Sequence, residues 1–543
     1  MRSTGPIRYI EEVVDRSTFT KNIIVSLTQK KALKILKKIA DNSSNDYPTI
    51  DKPKTIVFNR VYSVYTDSIF NEVGIAKALQ LLGHKVKFYM CSGGLYNCSI
   101  PFTLKNPPNK KRCELCTYFG EKFLSITNIP YKTYKEITNG KKYDIPESRE
   151  EMENYIYKGI NVGKHAKTSA NRFYLGVNKN KIKKYDYDEI LKQRLLNSLI
   201  SVDVAEYSYN KDKPDVLYSS HGCYSEWGGF IDYYIKRNIR YIVWNYSFGR
   251  SYVFNQDDLN SIFKIYMQHK KTLNTEEHKE IDLYLEHRMH GKGDADTKIY
   301  GFKPSDADLE KKISFSKYDK IFAIYPNVLW DTSLAKVDTV FDSVYHWIDE
   351  TISFFKKNPN YLLIIKIHPG EKKVEGSLAT SKEYIVENHT LTDNIIIIDI
   401  DTDISPYALF KYIDGGLVYN GTIGLELSVS GVPAIVSGLA PYSNQGFTYD
   451  VKSIEHYHSL LKNPPRRLDE EKKNMAKLFA YFYFIDSRVP ITYVVYKKRL
   501  LITYDVDRFE ELLKKEEIQF AVDYILGKRL WKSSTLDDIK HEE

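Results

Sequence analysis

Two rhythms of apolar and polar positions run along the chain. Short runs rich in Ile, Val, Phe and Tyr alternate with longer stretches whose apolar residues stand three and four apart. Residues 54–59 (KTIVFN) read as a strand, 69–82 as a helix stopped by Gly83, and 85–90 (KVKFYM) as a second strand. The succession returns at 215–219 (DVLYS), 227–237 and 240–244 (RYIVW). It begins again near Lys317, with a strand at 320–325 (KIFAIY) and a helix at 341–357. Further strands follow at 361–367 (YLLIIKI), 394–398 (NIIII), 416–419 and 434–437. A continuous apolar strand such as YLLIIKI belongs in a parallel sheet covered on both faces.

This repetition predicts an α/β fold. Two sets of units, separated near residues 300–316, predict two Rossmann-like domains facing a cleft, with helical additions at both ends. The boundaries expected are a helical extension over 1–48, a first domain over 49–310, a second over 311–465 and a helical segment over 466–543. Ligands of such sheets sit beyond the carboxyl ends of the strands. Residues 29–40 form an amphipathic helix, with Lys30, Lys31, Lys34, Lys37 and Lys38 opposite its apolar arc. A surface helix packed on the fold and a helix docked on a membrane both fit that pattern.

Composition narrows the class. Of 543 residues, 42% are hydrophobic and 27% charged, which excludes disorder for the bulk of the chain. Five cysteines exclude a disulfide scaffold. The net charge of +9 is mild for this length and suits a phosphate ligand or an anionic membrane surface. It predicts no nucleic-acid partner, which would need a basic stripe on one face. The first residues hold no apolar run of signal-peptide type. The expectation is a cytoplasmic protein, soluble or peripheral at the inner face of the membrane.

Several motifs carry candidate chemistry. Lys366, His368 and Glu371 lie in KIHPGE, at the carboxyl end of the strongest strand, where Pro369 stops the strand. A Lys and a His there can bond a phosphate oxygen. In the second motif the strand GGLVY runs into Asn420, Gly421, Thr422 and Gly424, with Glu426 one turn into the following helix. Glycines allow close backbone approach, helix-start N–H groups favour an anion, and Glu426 could accept from a ribose hydroxyl. In a third motif, SSHGCYSEWGG, either His221 or Glu226 could take a proton from an acceptor hydroxyl.

Cys91, Cys98, Cys113 and Cys116 fall within 26 residues as C-x6-C-x14-C-x2-C. The set suits one structural zinc ion, reduced thiols, or redox and cluster chemistry. The acids of DIDTD (399–403) are expected to cap the helix that starts near Ser405 and Pro406 rather than bind metal.

The chain resembles the capsule polysaccharide biosynthesis proteins, glycosyltransferases of GT-B fold. The stretches that carry the resemblance are SHGCYSEWGG, YIVWNYSFGRSYVF, YLEHRMHGKGD, YPNVLWD, KIHPGE and VYNGTIGLELSVSGVPAIVSG, in that order. The resemblance implies sugar transfer from a nucleotide-activated donor to a saccharide or glycolipid acceptor. It implies donor phosphate contact at His368 and over 421–424, and an acceptor-side role around His221 and Glu226. Relatives often carry Ser or Lys where this chain has Gly421, Thr422 and Ile423, which leaves the donor base and sugar open. With the phosphate held by side chains and backbone, no catalytic cofactor is expected. An epimerase, a polyol-phosphate transferase or a non-catalytic sugar-nucleotide binder would use a similar scaffold.

Overall fold

The computed structural model describes residues 18–63, 66–98, 110–174, 187–247, 251–255, 258–290, 309–329, 339–368, 371, 380–400, 402, 404–497 and 501–534. They divide into two units. The first comprises residues 1–170, 185–245 and 489–543, the second residues 171–184 and 246–488. The change of unit therefore falls at 245–246 instead of the expected 310–311. Residues 489–543 return to the first unit and do not extend the second.

In the first unit, parallel strands β1 (Thr55–Arg60), β2 (Lys85–Met90), β3 (Tyr131–Thr133), β4 (Val216–Ser220) and β5 (Arg240–Ser247) run in the order β3-β2-β1-β4-β5. Their register is locked by aromatic side chains. Phe58 stands opposite both Phe88 and Tyr218, with ring centroids 4.6 Å and 4.8 Å apart. Helices α1 (Thr18–Asp41), α2 (Thr66–Leu81), α3 (Lys110–Ile126), α4 (Tyr187–Asp212) and α5 (Gly228–Ile235) belong to this unit. Helix α1 buries Ala32, Leu33, Leu36 and Ile39 and exposes Lys30, Lys31, Lys34, Lys37 and Lys38. It is thus an amphipathic helix packed by its apolar arc.

The tail departs from the expected helical segment. It holds an antiparallel hairpin, Val494–Lys497 with Leu501–Tyr504, and then the helix Glu516–Leu526. The hairpin lies on α2. Gly74 of α2 leaves room for two rings there, since a Cβ would stand 3.0 Å from Tyr493 and 3.3 Å from Tyr504. The Tyr504 hydroxyl donates to the Phe70 carbonyl at 2.6 Å. Arg240 of β5 donates to the carbonyls of Tyr524 and Ile525, the last turn of the tail helix, at 2.7 and 3.2 Å. The tail reads as charged in sequence, but its apolar residues complete the first unit's core.

The second unit holds β6 (Lys320–Tyr325), β7 (Tyr361–Lys366), β8 (Ile395–Ile398), β9 (Gly415–Val418), β10 (Ala434–Val436) and β11 (Tyr449–Asp450). All are parallel, in the order β8-β7-β6-β9-β10-β11. Numbered within the unit this is 3-2-1-4-5-6, the doubly wound order of dinucleotide-binding folds, whose strand direction of growth reverses between β6 and β9. The strands are buried on both faces, as the continuous apolar runs require. Helix α6 (Thr275–Met289) precedes the sheet in the chain, and α7 (Val344–Lys357) covers it. Trp347, Ile348, Ile352 and Phe355 of α7 pack with Phe322, Leu363 and Leu417 of the sheet. The Ser343 hydroxyl accepts from the His346 N–H at 3.1 Å and starts α7.

Among the described residues no helix is long and apolar enough to cross a membrane.

Replacing Tyr504 by Ala removes a fully buried ring and its bond to Phe70. This is expected to cost about 3–5 kcal/mol in urea unfolding, the scale of a buried aromatic truncation. A change within about 0.5 kcal/mol, typical of surface sites, would mean that the tail is not part of the core.

Candidate functional site

The carboxyl edge of the second sheet gathers most of the residues singled out in the sequence. Lys366 ends β7, and His368 follows it half-buried. Asn420, Gly421 and Thr422 follow β9. β7 and β9 flank β6, so at a strand spacing near 4.8 Å the two motifs stand about 10 Å apart on one edge, astride the reversal point. At the end of β6 itself, the Asn327 amide donates to the Asn420 side-chain oxygen at 2.7 Å, both residues buried. Asn327 was not expected from the sequence; its signal was the family-like stretch YPNVLWD.

Lys366 is buried, and burial lowers its pKa from 10.5 to about 8, against a smaller opposing pull from Asp399. Its ammonium has the Asp399 backbone carbonyl at 3.4 Å. The Asp399 carboxylate is engaged elsewhere, by Lys382 and by the Ile400 N–H at 2.7 Å. Asp399 therefore does not cap the helical turn after Ser405, where the Ser405 hydroxyl itself accepts from the Tyr407 N–H at 3.3 Å; Asp401 and Asp403 lie outside the described residues. A buried cation held mainly by a carbonyl dipole gains most from an added anion.

The acids beside these motifs have structural partners. Glu426 was expected to meet a ribose hydroxyl. It is buried instead in helix α9 (Ile423–Val429), where Arg288 of α6 bonds its Oε1 through Nε at 3.1 Å and Nη2 at 2.9 Å. The Tyr407 hydroxyl donates to Oε2 at 2.6 Å. Burial opposes charge on Arg288, but the Glu426 carboxylate outweighs it and holds the guanidinium above its usual range. Arg288 also reaches the Thr422 hydroxyl at 3.3 Å, so the buried pair fixes the turn that follows β9.

The two glycines of that turn differ. A Cβ on Gly421 would meet only ordinary contacts, the nearest at 3.8 Å, so space lies before it. A Cβ on Gly424 would collide with the Tyr442 phenol, whose hydroxyl donates to the Gly421 carbonyl at 2.5 Å. Gly424 serves packing, and Gly421 is the one open to a ligand.

Glu371, expected to bind the donor, is buried too. Its carboxyl accepts from the Ser381 N–H at 3.1 Å and the Ser381 hydroxyl at 3.1 Å, at the start of helix α8 (Ser381–Asn388).

In the first unit, His221 follows β4 with φ +54, a left-handed backbone that non-glycine residues adopt rarely and that concentrates at functional sites. Its ring is half-buried and lies 5.0 Å from the Trp227 ring. Glu226 is wholly buried. It accepts from the Ser225 hydroxyl at 2.9 Å and the Asn197 amide at 3.4 Å, with the Arg194 guanidinium at 3.8 Å. Of the two residues expected as base, Glu226 has neither solvent access nor an open oxygen. Gly228 of the same motif is required by His165, whose ring a Cβ would strike.

Cys91, Cys98, Cys113 and Cys116 line one cavity of the first unit. Among the described residues no three His, Cys, Asp or Glu side chains converge closely enough to share one metal ion.

Burial raises the Glu371 carboxyl from 4.5 to about 7, against the Ser381 hydrogen bonds that lower it. The folded state therefore binds a proton more tightly than the unfolded one. Its contribution is full below pH 4.5 and is lost as pH rises through about 7, on the order of 3 kcal/mol in all. Glu371→Gln is expected to remove this slope from the pH dependence of the melting temperature. Parallel curves for the two proteins would refute the assignment.

Residues 261–486 match the family of capsule polysaccharide biosynthesis proteins. The match falls within the second unit, which carries the Lys366, His368 and Gly421 edge. No curated protein matches the chain. Among solved structures, KpsC beta Kdo 2,4 transferase of Thermosulfurimonas dismutans is similar at 15% identity and a TM-score of 0.33, over 56% of this chain and 88% of that one. The beta Kdo 2,7 transferase of the same protein gives 14% and 0.32, over 59% and 89%. UDP-GlcNAc 2-epimerase from Neisseria meningitidis gives 12% and 0.23, over 79% and 95%. Likenesses this remote carry no chemistry from one protein to another. Lys366, His368, Gly421 and Thr422 fall within the matched stretch, and through residues 261–486 the chain is similar in sequence to the capsule polysaccharide biosynthesis proteins.

Proposed function

We propose that the protein is a glycosyltransferase of capsule-type polysaccharide synthesis whose second unit binds a nucleotide-activated sugar. The observation that carries this reading is the doubly wound sheet with Lys366 and His368 on one side of its reversal point and Gly421 and Thr422 on the other. A donor diphosphate or monophosphate is bound at that edge. Lys366 and His368 offset the charge that builds on the leaving phosphate, so the step is metal-independent. The open face of Gly421 admits phosphate against the backbone. His221 takes the proton of the acceptor hydroxyl, on a saccharide or glycolipid.

The reading gives three measurements. Saturating UDP-, GDP-, CMP- and dTDP-sugars are screened by thermal shift, and the true donor at a hundredfold excess over Kd should stabilise by about 3 kcal/mol. No shift with any of them would count against the donor site. His368→Ala is expected to lower turnover about a hundredfold or more with the circular dichroism spectrum unchanged. Unaltered transfer would remove His368 from the mechanism.

The third measurement follows from Lys366. Near pH 8 about half of the chains hold it neutral, and an incoming anion draws its pKa upward. Binding should then take up about half a proton. Calorimetry in two buffers of different ionisation enthalpy reads this as unequal heats at pH 8, and the difference should vanish in Lys366→Met. Equal heats for the native chain would show that the anion does not reach Lys366.

A further inference from the structure

The first unit holds a group of side chains that sugar transfer does not use. Cys91 follows β2, Cys98 lies seven residues further on, and Cys113 and Cys116 stand three residues apart on α3. All four border one cavity of about 350 Å³. Its other walls are largely apolar, including Val61, Met90 and Leu95, with Lys110 and Arg112 also at its border. The fifth cysteine, Cys223, is not among them. All five are thiols.

The backbone around the cavity is arranged about the sulfurs. A Cβ on Gly120 would fall 2.7 Å from both Met90 Sδ and Ser63 Oγ, so α3 sits as close to the end of β2 as a glycine allows. One turn earlier on the same face, Cys116 Sγ accepts the Ser63 N–H at 3.1 Å. After β2 the chain passes through left-handed Ser92 (φ +43) and Gly93 (φ +76). This turn lets the N–H groups of Gly93 and Leu95 donate to the Cys91 sulfur. Cys113 and Cys116 lie close enough to Cys91 to act on it electrostatically.

The sulfurs ring the cavity but do not converge on one point. A single tetrahedral zinc ion needs its ligands converging within about 2.3 Å of one centre, which the described residues do not offer. An iron–sulfur cluster supplies its own bridging sulfides, so its four thiolates stand farther apart. We infer that Cys91, Cys98, Cys113 and Cys116 hold a polynuclear iron–sulfur cluster in this cavity. Each thiol gives its proton to solvent as its sulfur binds iron. Lys110 and Arg112 offset the negative charge of a four-thiolate cluster. The cluster staples the loop after β2 to α3, and no electron transfer is required of it.

The test uses the full chain, produced and purified without oxygen. Iron, zinc and acid-labile sulfide are measured per chain, together with the visible spectrum. The expected result is iron and sulfide in near-equal amounts, on the order of four each, with broad absorption in the visible. Cys113→Ser with Cys116→Ser should lose both elements at least tenfold, while Cys223→Ser keeps them. One zinc per chain without sulfide would overturn the cluster, and so would a chain free of metal. The elemental content of the native chain decides this even where the double variant fails to fold.

Discussion

The second unit depends on one buried ion pair. Glu426 is buried in α9, and Arg288 and Tyr407 share its two oxygens. Three separate chain segments are tied by it: α6, the turn Pro406–Leu409 and α9. A buried pair of this kind adds little net stability over an apolar replacement, but breaking it leaves an uncompensated charge costing about 3–5 kcal/mol. What it contributes is position. Arg288 also touches Thr422, so the turn after β9 inherits the geometry of the pair.

How much of this was legible in the sequence varies with the physics involved. The strands read clearly, because burial on both faces of a parallel sheet leaves only apolar runs such as YLLIIKI. Their carboxyl ends followed, and with them Lys366, His368, Gly421 and Thr422. The unit boundary did not. The helices Leu259–His269 and Thr275–Met289 belong to the second unit, and amphipathic periodicity says only that a helix has a buried side. The tail was misread for the same reason. Its charges dominate the composition, whereas its few rings, Tyr493 and Tyr504 among them, decide where it packs.

The acids were the weakest part of the reading. Glu226, Glu371 and Glu426 each sit beside a motif that looks catalytic, and a sequence does not reveal which carboxylate is already bonded. Each proves to be enclosed with its own donors: Asn197 and Ser225, Ser381, and Arg288 with Tyr407. Arg288 itself lay in a family-like stretch, but its partner stands 138 positions further along the chain, beyond any local pattern.

This distribution of charge bears on what the carboxyl edge can bind. Once Glu426, Glu371 and Asp399 have their partners, no carboxylate among these is left to attract a cation. Lys366 remains, its charge suppressed by burial and opposed only by a carbonyl at 3.4 Å and a carboxylate that Lys382 already holds. An edge that satisfies its acids internally and leaves a desolvated ammonium is tuned for an incoming anion, since the anion restores what burial took from the lysine. The same logic sets the order of events. Under the proposed function the lysine is least charged before an anion arrives and most charged while one is bound, when its field acts on the leaving phosphate.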